Sequence, residues 1–261
     1  MFEKFMMPLD RQYDDGFEVT AGAFKDAATK LAAEHEGKLT FLNGHLPINF
    51  LYRHSVELFL KSSIITLHRS LKLPTGDGAH TKDPSIQING KWKPIHATHS
   101  VQNLYDTLSS LLTKHKTAID AVSMGSFDLD PEWANWIATI EASDGGSTYF
   151  RYPKGKGANI DVEKSGFQAA DPEKLLAEMQ RDDPGRKGNV VLGLYDDDGN
   201  IVNLYSMTEN PLPELREALV NAANMTEGIA MGLNAELVHG FSRGMAERQA
   251  KRGEHDESGG N

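Results

Sequence analysis

The sequence predicts a mainly α-helical protein: an antiparallel helical bundle with a small inserted α+β subregion that carries a β-hairpin. Three observations predict it. Apolar residues recur at helical spacing in a series of segments along the chain. The segment Leu46–Arg69 is apolar around most of its girth, as a helix buried at the centre of a bundle must be. Late in the chain the helical pattern gives way to two short β-type runs, VVLGLY and NIVNLYSM, joined by DDDGN, a hairpin signal with Gly199 at the left-handed position.

The elements follow in order. Phe24, Ala27, Ala28, Leu31 and Ala32 place a first helix over Thr20–Glu36. The second runs from Pro47 to Leu71 and is ended by Pro74 and Gly76. Residues Thr75–His96, rich in Gly, Pro, Asp and Lys, predict a long loop with a small hairpin around Ile86–Ile88. A stripe of Val101, Leu104, Tyr105, Leu108, Leu111 and Leu112 predicts a third helix over His99–Lys116, capped by Thr98 or Ser100. Asp130-Pro131-Glu132 is a start signal for a fourth, with Trp133, Trp136, Ile137 and Ile140 on its core face. DGGSTYFRYPKGKG then predicts a glycine turn, an extended aromatic–basic segment and a basic glycine loop. Asp171-Pro172 caps a short helix to Arg181. The last helix starts near Pro213 and keeps its apolar side to Phe241. The domain reading is a bundle over 1–143, an insertion over 144–210, a helix over 211–243 that completes the bundle, and a disordered tail over 244–261.

Composition narrows the function classes. The 261 residues are 39% hydrophobic and 25% charged, enough apolar content for a buried core. The chain has no cysteine, which removes disulfides and thiolate metal sites and fits a cytoplasmic location. MFEKFMMPLD holds no apolar stretch of signal-peptide length, and no run reaches the ~20 apolar residues of a membrane span. A net charge of −10 argues against broad nonspecific binding to nucleic acid but leaves room for a small basic site.

At about 100° per residue, Arg53, Glu57, His68, Lys61 and His54 fall within one sector of the second helix. Charges sunk in an apolar helix must be paired or functional. Arg53, Glu57 and Lys61 stand at i, i+4 and i+8, so they form an ion-pair ladder that fixes helix packing, or a site in which Arg53 and Lys61 bind phosphate, Glu57 orients them and His54 acts as base. His99 is a capping residue or completes that site at an anion-favouring helix start. Arg151 between Phe150 and Tyr152, with Lys154 and Lys156 following, stacks a base and binds phosphate, or packs on the bundle and pairs with Glu57 or another acid. No metal site is expected, since His96 and His99 lack a third ligand, and no cofactor is expected either. Asp196–Asp198 are explained by the hairpin turn and do not match a calcium loop.

Read in order, YRHSVELFLK (Tyr52–Lys61), HSVQNLYDTL (His99–Leu108) and STYFRYP (Ser147–Pro153) resemble a family of bacterial helical proteins in the HEPN superfamily (higher eukaryotes and prokaryotes nucleotide-binding). The likeness spans about Ala21 to Pro153 and reaches the final helix more loosely. It implies an all-α bundle, often dimeric. Many such proteins are metal-independent ribonucleases of toxin–antitoxin, abortive-infection and antiviral systems; others are inert binding or scaffolding modules. Glu57 and Lys61 match a Glu-x3-Lys pair found in several of these groups. Active members usually carry an arginine with a histidine four to six residues on. Here Arg53 is followed directly by His54, and Arg69 next by His80. Two expectations follow. One is a noncatalytic module that binds nucleotide, RNA or a protein partner, favoured by the acidic charge and the missing spacing. The other is a metal-independent ribonuclease using Arg53, His54 and His99, supported by Glu57 and Lys61. Arg151, Tyr152 and Lys154 are further binding candidates.

Overall fold

The computed structural model describes residues 7–35, 43–74, 85–154, 158–173, 190–208 and 210–246. The protein is mainly helical. Its helices are α1 (Phe17–His35), α2 (His45–Ser70), α3 (Val101–Lys114), α4 (Lys116–Asp120), α5 (Pro131–Asp144), α6 (Ala158–Glu163) and α7 (Pro213–Leu233). Its strands are β1 (Ser85–Ile88), β2 (Lys91–Pro94), β3 (Phe167–Ala169), β4 (Val190–Tyr195) and β5 (Ile201–Met207). Among the described residues no helix is long and apolar enough to cross a membrane.

Helix α2 is the axis of the molecule. It packs against α1, α3 and α7, and α5 closes the group by packing on α3 and α7. Every residue from Ser55 to His68 is buried, polar ones included. Val56, Leu60, Ile64 and Leu67 meet Leu104 and Leu108 of α3, Trp133, Ile137 and Ile140 of α5 and Leu219, Ala222 and Ala223 of α7 in one core. The helix ends in a Schellman turn: Lys72 takes φ +53, and the N–H groups of Leu71 and Leu73 bond to the carbonyls of Leu67 and His68. Pro74 follows directly, as the sequence indicates; Gly76 lies outside the described residues.

Several boundaries differ from expectation for identifiable reasons. Helix α1 starts three residues before Thr20, because the buried Asp14 carboxylate accepts N–H bonds from Gly16 (3.2 Å) and Glu18 (2.7 Å). Gly16 at φ +81 makes the approach to the helix, with Leu9 packed where a side chain would otherwise stand. Helix α3 starts at Val101 rather than His99, since Ser100 is the cap: its Oγ accepts from Asn103 N–H at 3.1 Å. Asp130 caps α5 as expected, accepting from Glu132 N–H at 2.8 Å. The last helix does not run unbroken to Phe241. A π-helical turn over Asn234–Val238 and Gly240 at φ +57 interrupt it, and residues 241–246 form a further helical piece, tied back by Ser242 on Glu236. The expected disordered tail is therefore helical over 244–246; its remainder lies outside the described residues.

The hairpin in the long loop is present as β1 and β2, paired from Ser85–Pro94 to Ile88–Lys91. The DDDGN hairpin is also present, with Gly199 at φ +82 and Asp196 Oδ1 accepting from the N–H groups of Asp198 and Asn200. The insertion holds more than this hairpin. Helix α6 and strand β3 precede it, and β3 pairs with β5 to give a sheet ordered β3-β5-β4. Asp171 accepts from Glu173 N–H at 3.0 Å at the start of the short helix expected there; residues 174–181 lie outside the described residues.

A buried charge cluster as the candidate functional site

Three residues of the helical strip come together. Arg53, Glu57 and Lys61 occupy successive turns of α2, and each is at most 2% exposed. Glu57 accepts from Arg53 Nη1 on one carboxylate oxygen and from Lys61 Nζ, at 2.8 Å, on the other. Arg53 Nη2 donates to the backbone carbonyl of His99, just ahead of α3, and to that of Asp144, at the end of α5, at 3.4 Å. Lys61 Nζ also donates to the His96 carbonyl at 3.4 Å. One arginine thus ties α2 to the start of α3 and the end of α5, and one lysine ties α2 to the turn after β2.

The fourth member of the cluster is Asp144, which the sequence reading placed only in a glycine turn. Its Oδ2 lies 3.6 Å from Arg53 Nε, an ion pair too long for a hydrogen bond. Its Oδ1 accepts from the N–H groups of Thr148 and Tyr149 at 2.7 and 2.8 Å. Two cations therefore face two carboxylates, and the group is neutral overall. Burial alone would push the Glu57 carboxyl up. The Lys61 and Arg53 charges, with hydrogen bonds from Lys61 and His99, outweigh it and hold the carboxyl below the ordinary carboxylate range.

His99 is the one part of the cluster that reaches solvent. Its Nδ1 lies 3.0 Å from Glu57 Oε1, while its side chain is 55% exposed. It does not sit in the first turn of α3, and the anion-favouring N–H groups there already have their anion. Glu141 of α5 accepts from Gln102 N–H at 3.2 Å and from the Ser100 hydroxyl at 2.8 Å.

The other expected residues stand apart. His54 is half-buried and stacks on Phe50, with the Phe24 ring edge-on. Burial lowers its pKa; Glu57 opposes that effect, and the Arg53, Lys61 and Arg151 charges add to it. His68 is buried at the far end of α2, away from the Glu57 pairs, and burial lowers its pKa. Ser147–Tyr152 is not extended. Arg151 and Tyr152 N–H both return to the Thr148 carbonyl, closing a turn that buries Tyr149 and Phe150. Arg151 pairs with no acid among the described residues. Its Nε donates to the Ser147 carbonyl at 2.6 Å, and its guanidinium lies 5.8 Å from the Tyr152 ring centre. Arg151, Tyr152 and Lys154 are exposed.

Lys164, which sequence reasoning passed over, holds this turn in place. Its buried ammonium donates to the carbonyls of Tyr149 (3.2 Å) and Tyr152 (2.8 Å) and to Asp161 (2.8 Å), and lies 4.8 Å from the Tyr149 ring centre. Burial, with Glu163, Asp161 and Asp144 nearby, pushes the Tyr149 hydroxyl up to about 12. Among the described residues no group of three potential ligands is placed to hold a metal ion. A groove of about 630 Å³ beside Trp136, Met225 and Gly228 includes none of the expected site residues. The molecule is thus a helical bundle locked by an internal ion cluster, with a basic–aromatic turn on its surface. Comparison with protein-family models, with curated proteins and with solved structures yields no match.

Proposed function

We propose that this protein is a noncatalytic, HEPN-like module of a bacterial defence or toxin–antitoxin type system, and that it binds RNA or nucleotide through its surface turn. The observation that carries this reading is the burial and mutual neutralisation of Arg53, Glu57 and Lys61. A phosphate would have to enter a closed core and displace Glu57 from both cations, at the desolvation cost of a buried charge. Arg151, Tyr152 and Lys154 are free of that constraint: an exposed ring for stacking beside two exposed cations.

One geometric fact favours the ribonuclease reading instead. A carboxylate holds His99 by Nδ1 and leaves the ring open to solvent, the arrangement that orients a general base. One experiment separates the two. Purified protein is incubated in EDTA with a pool of labelled RNA, and binding and cleavage are both read. The module reading expects intact RNA, with binding weakened by at least fivefold in Arg151→Ala and Tyr152→Ala. Cleavage in EDTA that His99→Ala abolishes would replace it with the ribonuclease reading; neither binding nor cleavage would leave a protein partner as the ligand.

A further inference from the structure

At the start of α2 the bundle holds a cation with no acid beside it. Arg216, in the first turn of α7, is half-buried. Its Nε donates to Asn49 Oδ1 and its Nη2 to the His45 carbonyl at 3.4 Å, so one side chain lies across the opening turns of α2. Among the described residues no carboxylate pairs with it; Glu214 and Glu217, beside it on α7, are exposed. Its position adds to the imbalance. Arg216 stands near the positive end of its own helix, and α2 starts at Gly44, which offers no capping side chain, with no acid in its first turn. Burial pushes the guanidinium pKa down. An interior cation ordinarily has a partner or a job.

Two buried polar atoms next to it also lack partners. Asn49 is fully buried. Its Oδ1 takes the Arg216 bond, which leaves the Nδ2 amide as a donor that finds no acceptor among the described residues. His45 is fully buried as well. Its Nε2 bonds the Lys164 carbonyl, which can only accept, so the proton sits on Nε2. Nδ1 is then a bare acceptor, and no described residue donates to it. His45 and Asn49 stand at i and i+4, on one face of α2. Arg216 Nη1 donates to no described residue. The junction thus has spare donors, one spare acceptor and an uncompensated positive charge.

We propose that this junction is a site for hydrogen phosphate. The free end of the Arg216 guanidinium holds two phosphate oxygens by paired N–H bonds. A small outward turn of the half-buried side chain opens Asn49 Nδ2 to a third oxygen. The fourth oxygen, which keeps its proton at neutral pH, donates a hydrogen bond to His45 Nδ1. One ion thus supplies the missing negative charge, the missing acceptor and the missing donor. Sulfate has the same shape but no proton at that pH, and would set a lone pair against Nδ1. An RNA phosphodiester also lacks the proton. The site is therefore separate from the basic–aromatic turn, and it stands whether or not that turn binds RNA.

The test uses the full chain and inorganic phosphate, titrated by calorimetry at neutral pH and fixed ionic strength. Saturable binding is expected, weakened at least tenfold in Arg216→Gln and at least fivefold when sulfate replaces phosphate. Arg216→Lys keeps the charge without the planar fork, and its affinity is expected to fall between those of the native chain and Arg216→Gln. Arg151→Ala/Lys154→Ala is expected to bind phosphate as the native chain does, which separates this site from the surface turn. Circular dichroism checks that each variant is folded; should Arg216→Gln not fold, Arg216→Lys and the sulfate comparison decide. A native chain without saturable binding overturns the proposal. So does binding that survives Arg216→Gln, that sulfate matches, or that the loss of Arg151 and Lys154 abolishes.

Discussion

Arg53 is the side chain at which three helices meet. It is fully buried, it neutralises Glu57 and Asp144, and it donates to carbonyls beside α3 and at the end of α5. Removing it leaves Asp144 buried without a cation and Glu57 with Lys61 alone. Arg53→Met should therefore destabilise the fold by about 3–5 kcal/mol, read from urea unfolding. The quadruple variant Arg53→Met/Glu57→Met/Lys61→Met/Asp144→Asn removes all four charges of the cluster and should recover much of that loss. A quadruple variant no more stable than the single one would show that the cluster contributes more than mutual neutralisation. The ladder itself was legible in the sequence, because i, i+4, i+8 spacing on an apolar helix leaves few other partners. Asp144 was not: nothing local distinguishes an aspartate before two glycines from an ordinary turn residue, and its partner lies 91 positions away.

Between helix α6 and the bundle, Lys164 does for the Ser147–Tyr152 turn what Arg53 does for the helices. Its ammonium serves two backbone carbonyls, one carboxylate and one aromatic face, and His45 Nε2 bonds the Lys164 carbonyl at 2.7 Å, anchoring the element to the start of α2. Lys164→Met strips the turn of charged hydrogen bonds worth about 1.5–3 kcal/mol each. Amide exchange over residues 147–152 should accelerate at least tenfold, while α2 and α7 keep their protection. Unchanged exchange in the turn would mean that Tyr149 and Phe150 alone hold it. The elements that sequence reasoning placed well are those with a strong local signal: α2 by its apolar girth, α5 by Asp130-Pro131, β4 and β5 by their turn. Those it missed depend on distant partners. Strand β3 exists because β5 offers an edge to it, and the aromatic–basic segment turns back because Asp144 and Lys164 bind its N–H and carbonyl groups.

Across the whole molecule, the buried histidines make stability depend on pH before any carboxylate titrates. His45, His54 and His68 line α2 at its start, its third turn and its end, and burial lowers the pKa of each. In the unfolded chain a histidine titrates near about 6.5. As pH falls through that value the unfolded state binds protons that the folded state resists, so stability must decline. Glu57 sets a second step with the same direction and a lower range. Its folded pKa is depressed, so its contribution is present above the unfolded carboxylate value of about 4.3 and is lost as pH falls through the folded one. The melting temperature followed from pH 8 to pH 3.5 should fall in two stages, the first between about pH 7 and 5. His68→Gln should shrink the first stage without moving the second, because His68 is buried at the far end of α2, away from the Glu57 pairs. A melting temperature that holds level from pH 7 to 5 would mean that the helix accommodates the imidazolium ions, and that burial of these rings carries no penalty in the folded chain.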